Sequence, residues 1–320
     1  MGPAPAVAEV RNAVRTALGD LRSGDLVLAA CSGGADSLAL AAALAFVAPR
    51  AGLRAGGVTV DHGLQDGSAA RAADVGRTLG AFGLDPVVIE TVSVDGSGGP
   101  EAAARAARYA ALERAAGTAS ARTVLLGHTL DDQAETVLLG LARGSGARSL
   151  AGMPAGRGIF RRPLLSVRRS VTREACGALG LDVWDDPHNY DKRYARVRVR
   201  HDVLPVMEAA LGPGVAEALA RTAGQLRADS EVIDTISAER LSHPAVLAAD
   251  SLSGMPEAVR TRVLRSAAIA AGCPAGALTA GHVDRVSRLV TDWHGQRWVD
   301  LPGGVRASRR DGRVLFVSGM

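Results

Sequence analysis

The sequence predicts an α/β protein: a doubly wound, mostly parallel sheet, then a smaller, mainly helical domain with a terminal β-hairpin. Three observations support this. Short apolar runs alternate four times with helical stretches between Asp25 and about Arg143, the signature of βαβ units. Leu204-Pro205 and the Gly212-Pro213-Gly214 turn then interrupt the pattern, so the expected domains are 1–205 and 206–320. Residues 215–290 read as amphipathic helices rich in Ala, Leu, Arg and Val. Gln296 to Ser318 carries branched apolar residues with turn signals at Pro302-Gly303-Gly304 and Asp311-Gly312.

In chain order, the first expected strand is 26–30, Leu-Val-Leu-Ala-Ala, followed by a helix over 37–48. A second strand at 56–60 and a helix over 68–82 repeat the unit, as do a strand at 86–90 and a helix over 101–116. Between them Ser93–Pro100 has the composition of a loop. The fourth unit is a strand at 122–127 with a helix over 132–142. The apolar run Leu38–Ala48 is 11 residues long, too short to span a bilayer. No signal-peptide pattern opens the chain, so the expected setting is cytoplasmic, without a membrane.

With 320 residues, 47% hydrophobic and 22% charged, the chain has the composition of a globular protein of about two domains. Cys31, Cys176 and Cys273 are widely spaced and form no C-x-x-C pair. That speaks against a disulfide framework or a metal site built from one local motif. The net charge of +4 is unevenly placed: eleven basic residues between Arg157 and Arg200 face five acids, giving +6, and the remainder sums to −2. Such a segment reads as an electrostatic footprint for a polyanion.

Three polar clusters follow three of the expected strands. Ser32-Gly-Gly-Ala-Asp-Ser37 follows the first, Asp61-His62-Gly63 the second, and Gly127-His-Thr-Leu-Asp-Asp-Gln-Ala-Glu-Thr136 the fourth. Ligands of doubly wound sheets sit beyond these carboxyl ends. In the first cluster, adjacent glycines and a helix start suit a phosphate. A Walker loop is excluded because no lysine follows the glycines; the chain's only lysine is Lys192. In the third cluster one of Asp131 and Asp132 is expected to cap the helix. The other is then available, with Asp36, to bind Mg²⁺ beside substrate phosphates. His128 is placed to donate a hydrogen bond or proton to phosphate.

Ser-Gly-Gly-x-Asp-Ser resembles the PP-loop of ATP pyrophosphatases, a Rossmann-like fold that splits ATP into AMP and pyrophosphate. The ordered series is similar to the tRNA(Ile)-lysidine synthetase family over roughly 25–205. It comprises the three clusters, Arg143-Gly-Ser-Gly146, Gly152-Met153, Arg162-Pro-Leu-Leu165 and Trp184-Asp-Asp-Pro-His-Asn189 with Asp191. The resemblance implies ligation of free L-lysine to C2 of the wobble cytidine in a CAU-anticodon tRNA(Ile), through an adenylated cytidine, with ATP and Mg²⁺. It leaves a homodimer open.

By position, the resemblance implies nucleotide binding by Ser32, Gly33, Gly34, Ala35, Asp36, Ser37, Asp61, His62 and Gly127. Catalysis would fall to Asp36, His128, Asp132 and Arg105, with Asp131 and Glu135 supporting and with Asp36 and Asp132 on the metal. Arg108, Arg143, Arg162, Arg196 and Arg200 would meet tRNA. One departure stands out: Val197 occupies a position where relatives commonly carry asparagine. Two other readings are a tRNA thiolase of the same superfamily, which the dispersed cysteines support poorly, and a nucleotide-binding regulatory module without turnover.

Overall fold

The computed structural model describes residues 2–63, 67–93, 100–144, 146–241 and 246–318, so most of the expected loop 93–100 lies outside the described residues. The chain divides into two compact units, one of Met1–Gly144 and Gly152–Ala223, the other of Ser145–Ala151 and Gly224–Met320.

The first unit opens with α1 (Pro5–Ala17), which the βαβ pattern did not reveal. It continues with β1 (Leu26–Ala30), α2 (Ala35–Arg50), β2 (Arg54–Asp61), α3 (Ser68–Ala81), β3 (Val87–Thr91), α4 (Pro100–Ala119), β4 (Thr123–Leu125) and α5 (Leu130–Ala142). The four expected strands and helices are present with shifted ends. The short α6 (Ala147–Leu150) belongs to the second unit. Then come β5 (Gly156–Arg157), β6 (Phe160–Arg161), α7 (Arg169–Ala178), α8 (Ala195–Arg198), α9 (Leu204–Leu211) and α10 (Val215–Arg240). The division falls within α10, past the expected boundary at 205/206. The reason is packing: Leu204 and Ala216 join Leu130 and Ala134 of α5 in one apolar cluster.

The sheet order is β3-β2-β1-β4-β6-β5, parallel except for the β5–β6 pair. Alternate residues of a strand face opposite sides, and β1 obeys this. Leu26 and Leu28 pack with Leu112, Ala115 and Ala116 of α4. Val27 and Ala29 pack with α1, α2 and α7. Strand order reverses between β1 and β4, and a crevice opens at such a reversal.

In the second unit α11 (Ala249–Ser253), α12 (Glu257–Ala270) and α13 (Ala280–Thr291) share a core with an antiparallel sheet. That sheet has the order β7-β10-β9-β8, from β7 (Val246–Ala248), β8 (Val299–Leu301), β9 (Val305–Arg310) and β10 (Arg313–Ser318). The expected terminal hairpin is β9–β10, turning at Asp311 and Gly312 with φ of 47° and 70°. It is extended to four strands because β7 and β8 cover its two edges; three-residue strands of this kind leave little periodicity to read.

Among the described residues, no single helix is long and apolar enough to cross a membrane.

Candidate active site

The loop after β1 is built by its own serine. Ser37 Oγ accepts from the Ser32 N–H at 3.1 Å and donates to the Gly34 carbonyl at 2.9 Å. The Ser37 hydroxyl thus shapes the loop that it closes. Gly33 has a φ of +87°, a conformation that favours glycine. The N-cap of α2, Gly34, is extended and has no side-chain cap, which leaves the first N–H groups of the helix for a ligand. A Cβ on Gly127 would come within 3.1 Å of the Asp36 carbonyl and 3.2 Å of Ser37 Cα. Glycine there lets the end of β4 approach the loop after β1.

A cleft of about 770 Å³ opens above the switch point, well within the range of small-molecule sites. Ser32, Gly34, Ala35, Asp36, Ser37, Asp61, His62, Arg108, Gly127, His128 and Arg200 all line it, whereas Gly33 lies buried behind it. Asp61 Oδ1 accepts from the Gly63 N–H at 2.9 Å, which fixes the turn after β2. Trp184, under the ring-stacked guanidinium of Arg71, forms part of the wall, and its backbone N–H donates to the Gly33 carbonyl at 3.1 Å.

Asp36 lies beside α7. Thr172 Oγ1 donates to its Oδ1, and Arg169 Nε is 3.6 Å from its Oδ2. Burial raises the Asp36 pKa above the usual carboxylate range, against the pull of Thr172 and Arg169. Arg169 also reaches Asp132 Oδ1 at 2.7 Å and Glu135 Oε1 at 3.2 Å. Burial works against its charge, yet Asp132, Glu135, Asp36 and Asp131 outweigh that and hold the guanidinium protonated. Neither Arg169 nor Thr172 stood out in the sequence; each lies more than 30 residues from its partners.

Asp132 departs from expectation. Thr129 is the N-cap of α5, and Asp132 at N3 accepts from its N–H at 2.8 Å and its hydroxyl at 3.1 Å. The other carboxylate oxygen faces Arg169 and, at 3.3 Å, Arg200. Burial pushes its pKa up, but these guanidiniums and the Thr129 N–H prevail and keep it low. Asp131 instead ties α5 to the start of α7, accepting from the Arg169 N–H at 2.8 Å and from Arg168 at 3.2 Å. Asp132 is therefore the carboxylate of the capping box, and both acids are engaged by arginine side chains and backbone N–H groups.

His128 has a buried Nδ1 without a hydrogen-bond partner among the described residues. Burial, aided by Arg108, Arg162 and Arg105 and opposed by Asp132, takes its pKa down to about 3. Near pH 7 this favours the neutral imidazole, and of the two expected roles the hydrogen bond over the proton. The Nδ1 of His62 and the Nε of Arg108 are likewise buried without partners.

The other expected arginines fall in different environments. Arg105 is exposed and donates to the Tyr109 hydroxyl at 3.2 Å, and Arg143 is exposed at the C-cap of α5. Arg162 is buried and donates to the Pro154 carbonyl at 3.0 Å and to Tyr109 at 3.1 Å, so it is withdrawn from a tRNA surface. Arg200 grips the fully buried Glu135 at 2.7 and 3.1 Å, and Arg196 lies 3.8 Å from the same carboxylate. Val197, which stands where the resemblance leads one to expect asparagine, is buried.

Most basic residues of the +6 segment form ion pairs in the folded chain. Arg161 pairs with Asp20, Arg168 with Asp131, Glu208 and Glu217, Arg173 with Asp185, Lys192 with Asp202 and Arg193 with Asp191. Much of the expected polyanion footprint is thus engaged in ion pairs, some at the surface, as with Arg173, Lys192 and Arg193.

Comparison with known proteins follows the same lines. Residues 7–207 match the family model described as the PP-loop domain, and residues 247–315 match that of the TilS substrate binding domain. The chain is 59% identical over 318 residues to a tRNA(Ile)-lysidine synthase of Thermobifida fusca, covering 98% of each. It is 53% identical to that of Streptomyces coelicolor, covering 100% of both. A solved structure, the U34-tRNA thiolase NcsA of Methanococcus maripaludis with its 4Fe-4S cluster, superposes with a TM-score of 0.57 at 20% identity. It covers 69% of this chain and 79% of its own, and shows a shared fold. The three cysteines here are buried and lie in two different units. With a loop built for phosphate at the switch point, both models matched and full-length relatives this similar, the chain belongs to the tRNA(Ile)-lysidine synthase family.

Proposed function

We propose that this chain joins free L-lysine to C2 of the wobble cytidine in a CAU-anticodon tRNA(Ile), releasing AMP and pyrophosphate from ATP. The observation that carries the reading is convergence: the uncapped start of α2, Asp36, His62 and His128 line one cleft at the β1/β4 reversal.

The donor set around Asp36 fits a magnesium ion. One carboxylate is the share a protein can supply to such an ion when phosphates and water hold the rest, and the uncapped amides beside it suit those phosphates. Asp36 would hold it, and its charge would offset that of the triphosphate. In the first step cytidine O2 attacks the α-phosphorus in line and the bond to the bridging oxygen breaks. Charge growing on pyrophosphate meets the amides and positive end of α2. Neutral His128 supplies a hydrogen bond to the phosphoryl group. In the second step the neutral side-chain amine of lysine attacks C2 and expels AMP. No enzyme nucleophile is required.

The cytidine must leave its stack to reach the cleft. Exposed Arg105 and Arg143 are the first unit's candidates for tRNA phosphates. In the second unit Arg310 and Arg313 face each other across the β9–β10 pair, both exposed. Like charges in that register repel, an arrangement that favours a bound polyanion. Trp298, half-exposed, lies 5.0 Å from Arg306 on the same sheet.

Labelled lysine should enter tRNA only when ATP is present. Asp36→Ala should abolish AMP release while the protein still melts cooperatively; turnover like wild type would refute the assignment.

A further inference from the structure

α7 presents Arg169 and Thr172, three residues apart and so on one face of the helix, to the Asp36 carboxylate. Thr172 is fully buried, and its hydroxyl lies within hydrogen-bond reach of Asp36 Oδ1 and 2.8 Å from the Arg169 carbonyl. A hydroxyl has one proton to give, and a carboxylate is the stronger acceptor. Arg169 Nε takes the other side of the carboxylate at 3.6 Å, while its Nη2 binds Asp132 and Glu135. The helix itself is anchored in the core: Ala175 and Cys176, one turn on, pack against α1 and α2. Asp36 is thus held from outside its own helix, by two groups on a fixed element.

We propose that Thr172 is a positioning residue for ATP cleavage. By holding Oδ1 it selects one orientation of the Asp36 carboxylate, in which the remaining lone pairs face the cleft and the magnesium-bound nucleotide. The inference rests on the reading of Asp36 as the metal-holding carboxylate. It assigns Thr172 no contact with tRNA or lysine, so its removal should weaken the magnesium–ATP step alone.

Thr172→Val removes the donor at nearly constant shape, and Thr172→Ser keeps it. For each, the melting temperature would be followed at fixed ATP while magnesium is titrated, and KM for magnesium–ATP and for lysine would be measured alongside. Thr172→Val should raise the magnesium midpoint of the ATP-induced shift about tenfold, or 1.4 kcal/mol. KM for lysine should stay within about twofold, and Thr172→Ser should behave like wild type. An unchanged midpoint in Thr172→Val, or equal loss in Thr172→Ser, would overturn the proposal. If the valine variant fails to fold, Thr172→Ala compared with Thr172→Ser isolates the same hydroxyl. Asp36→Asn separates the two readings. If it leaves the midpoint unmoved, the metal-holding role of Asp36 fails. If it abolishes the shift while Thr172→Val does not move it, only the positioning role fails.

Discussion

At the residue scale, His128 illustrates how position rewrites chemistry. Its place after β4 was legible, because a histidine following glycine and preceding two acids stands at a strand end. Its protonation was not legible, since burial and three arginines from α4 and β6's C-terminal flank act on it only in the folded chain. Unfolded, the imidazole takes a proton near pH 6.5; folded, it resists until about 3. Between these values the unfolded state binds more protons, so stability falls as pH falls through the window. Denaturant midpoints measured from pH 7 to pH 4.5 should therefore decline less steeply for His128→Asn than for wild type. A second outcome belongs here too: AMP release should show no acid limb near pH 6.5 that disappears in this variant.

At the scale of elements, α5 and α7 form one electrostatic unit. Asp132 serves the N-terminus of α5 and two guanidiniums together, and Asp131 serves the first N–H of α7. Removing one member of a buried ion cluster leaves charge uncompensated, which typically costs about 3 kcal/mol or more. Asp132→Ala should accordingly lower the unfolding free energy by about 3 kcal/mol, read by urea denaturation. Asp132→Asn, which keeps an acceptor for the Thr129 N–H, should recover part of that loss. A drop in activity in the alanine variant then has to be judged against its stability, unlike that of Asp36→Ala. The helices themselves were legible from their apolar spacing. The sequence left the cap open between Asp131 and Asp132, and backbone geometry gives it to Asp132, in a capping box with Thr129.

For the whole molecule, the second unit offers a basic sheet face where the sequence suggested only helices and a hairpin. If Arg310 and Arg313 meet tRNA phosphates, replacing both by alanine should weaken tRNA binding. The slope of log affinity against log salt should decrease by about 2, with ATP binding unchanged. Stability should not suffer, since the change removes a cross-strand repulsion. By itself the sequence determined the alternation of strands and helices, the glycine loop after β1 and the gathering of polar clusters at strand ends. These are local facts of periodicity, glycine placement and connection rules. Only the tertiary structure decided that much of the basic segment 157–200 is ion-paired, that Arg162 is interior, and that Arg169 and Thr172 lie against Asp36. Ion pairs and hydrogen bonds act over a few ångströms in space, and their partners here lie as far apart in the chain as Asp20 and Arg161 or Asp36 and Thr172.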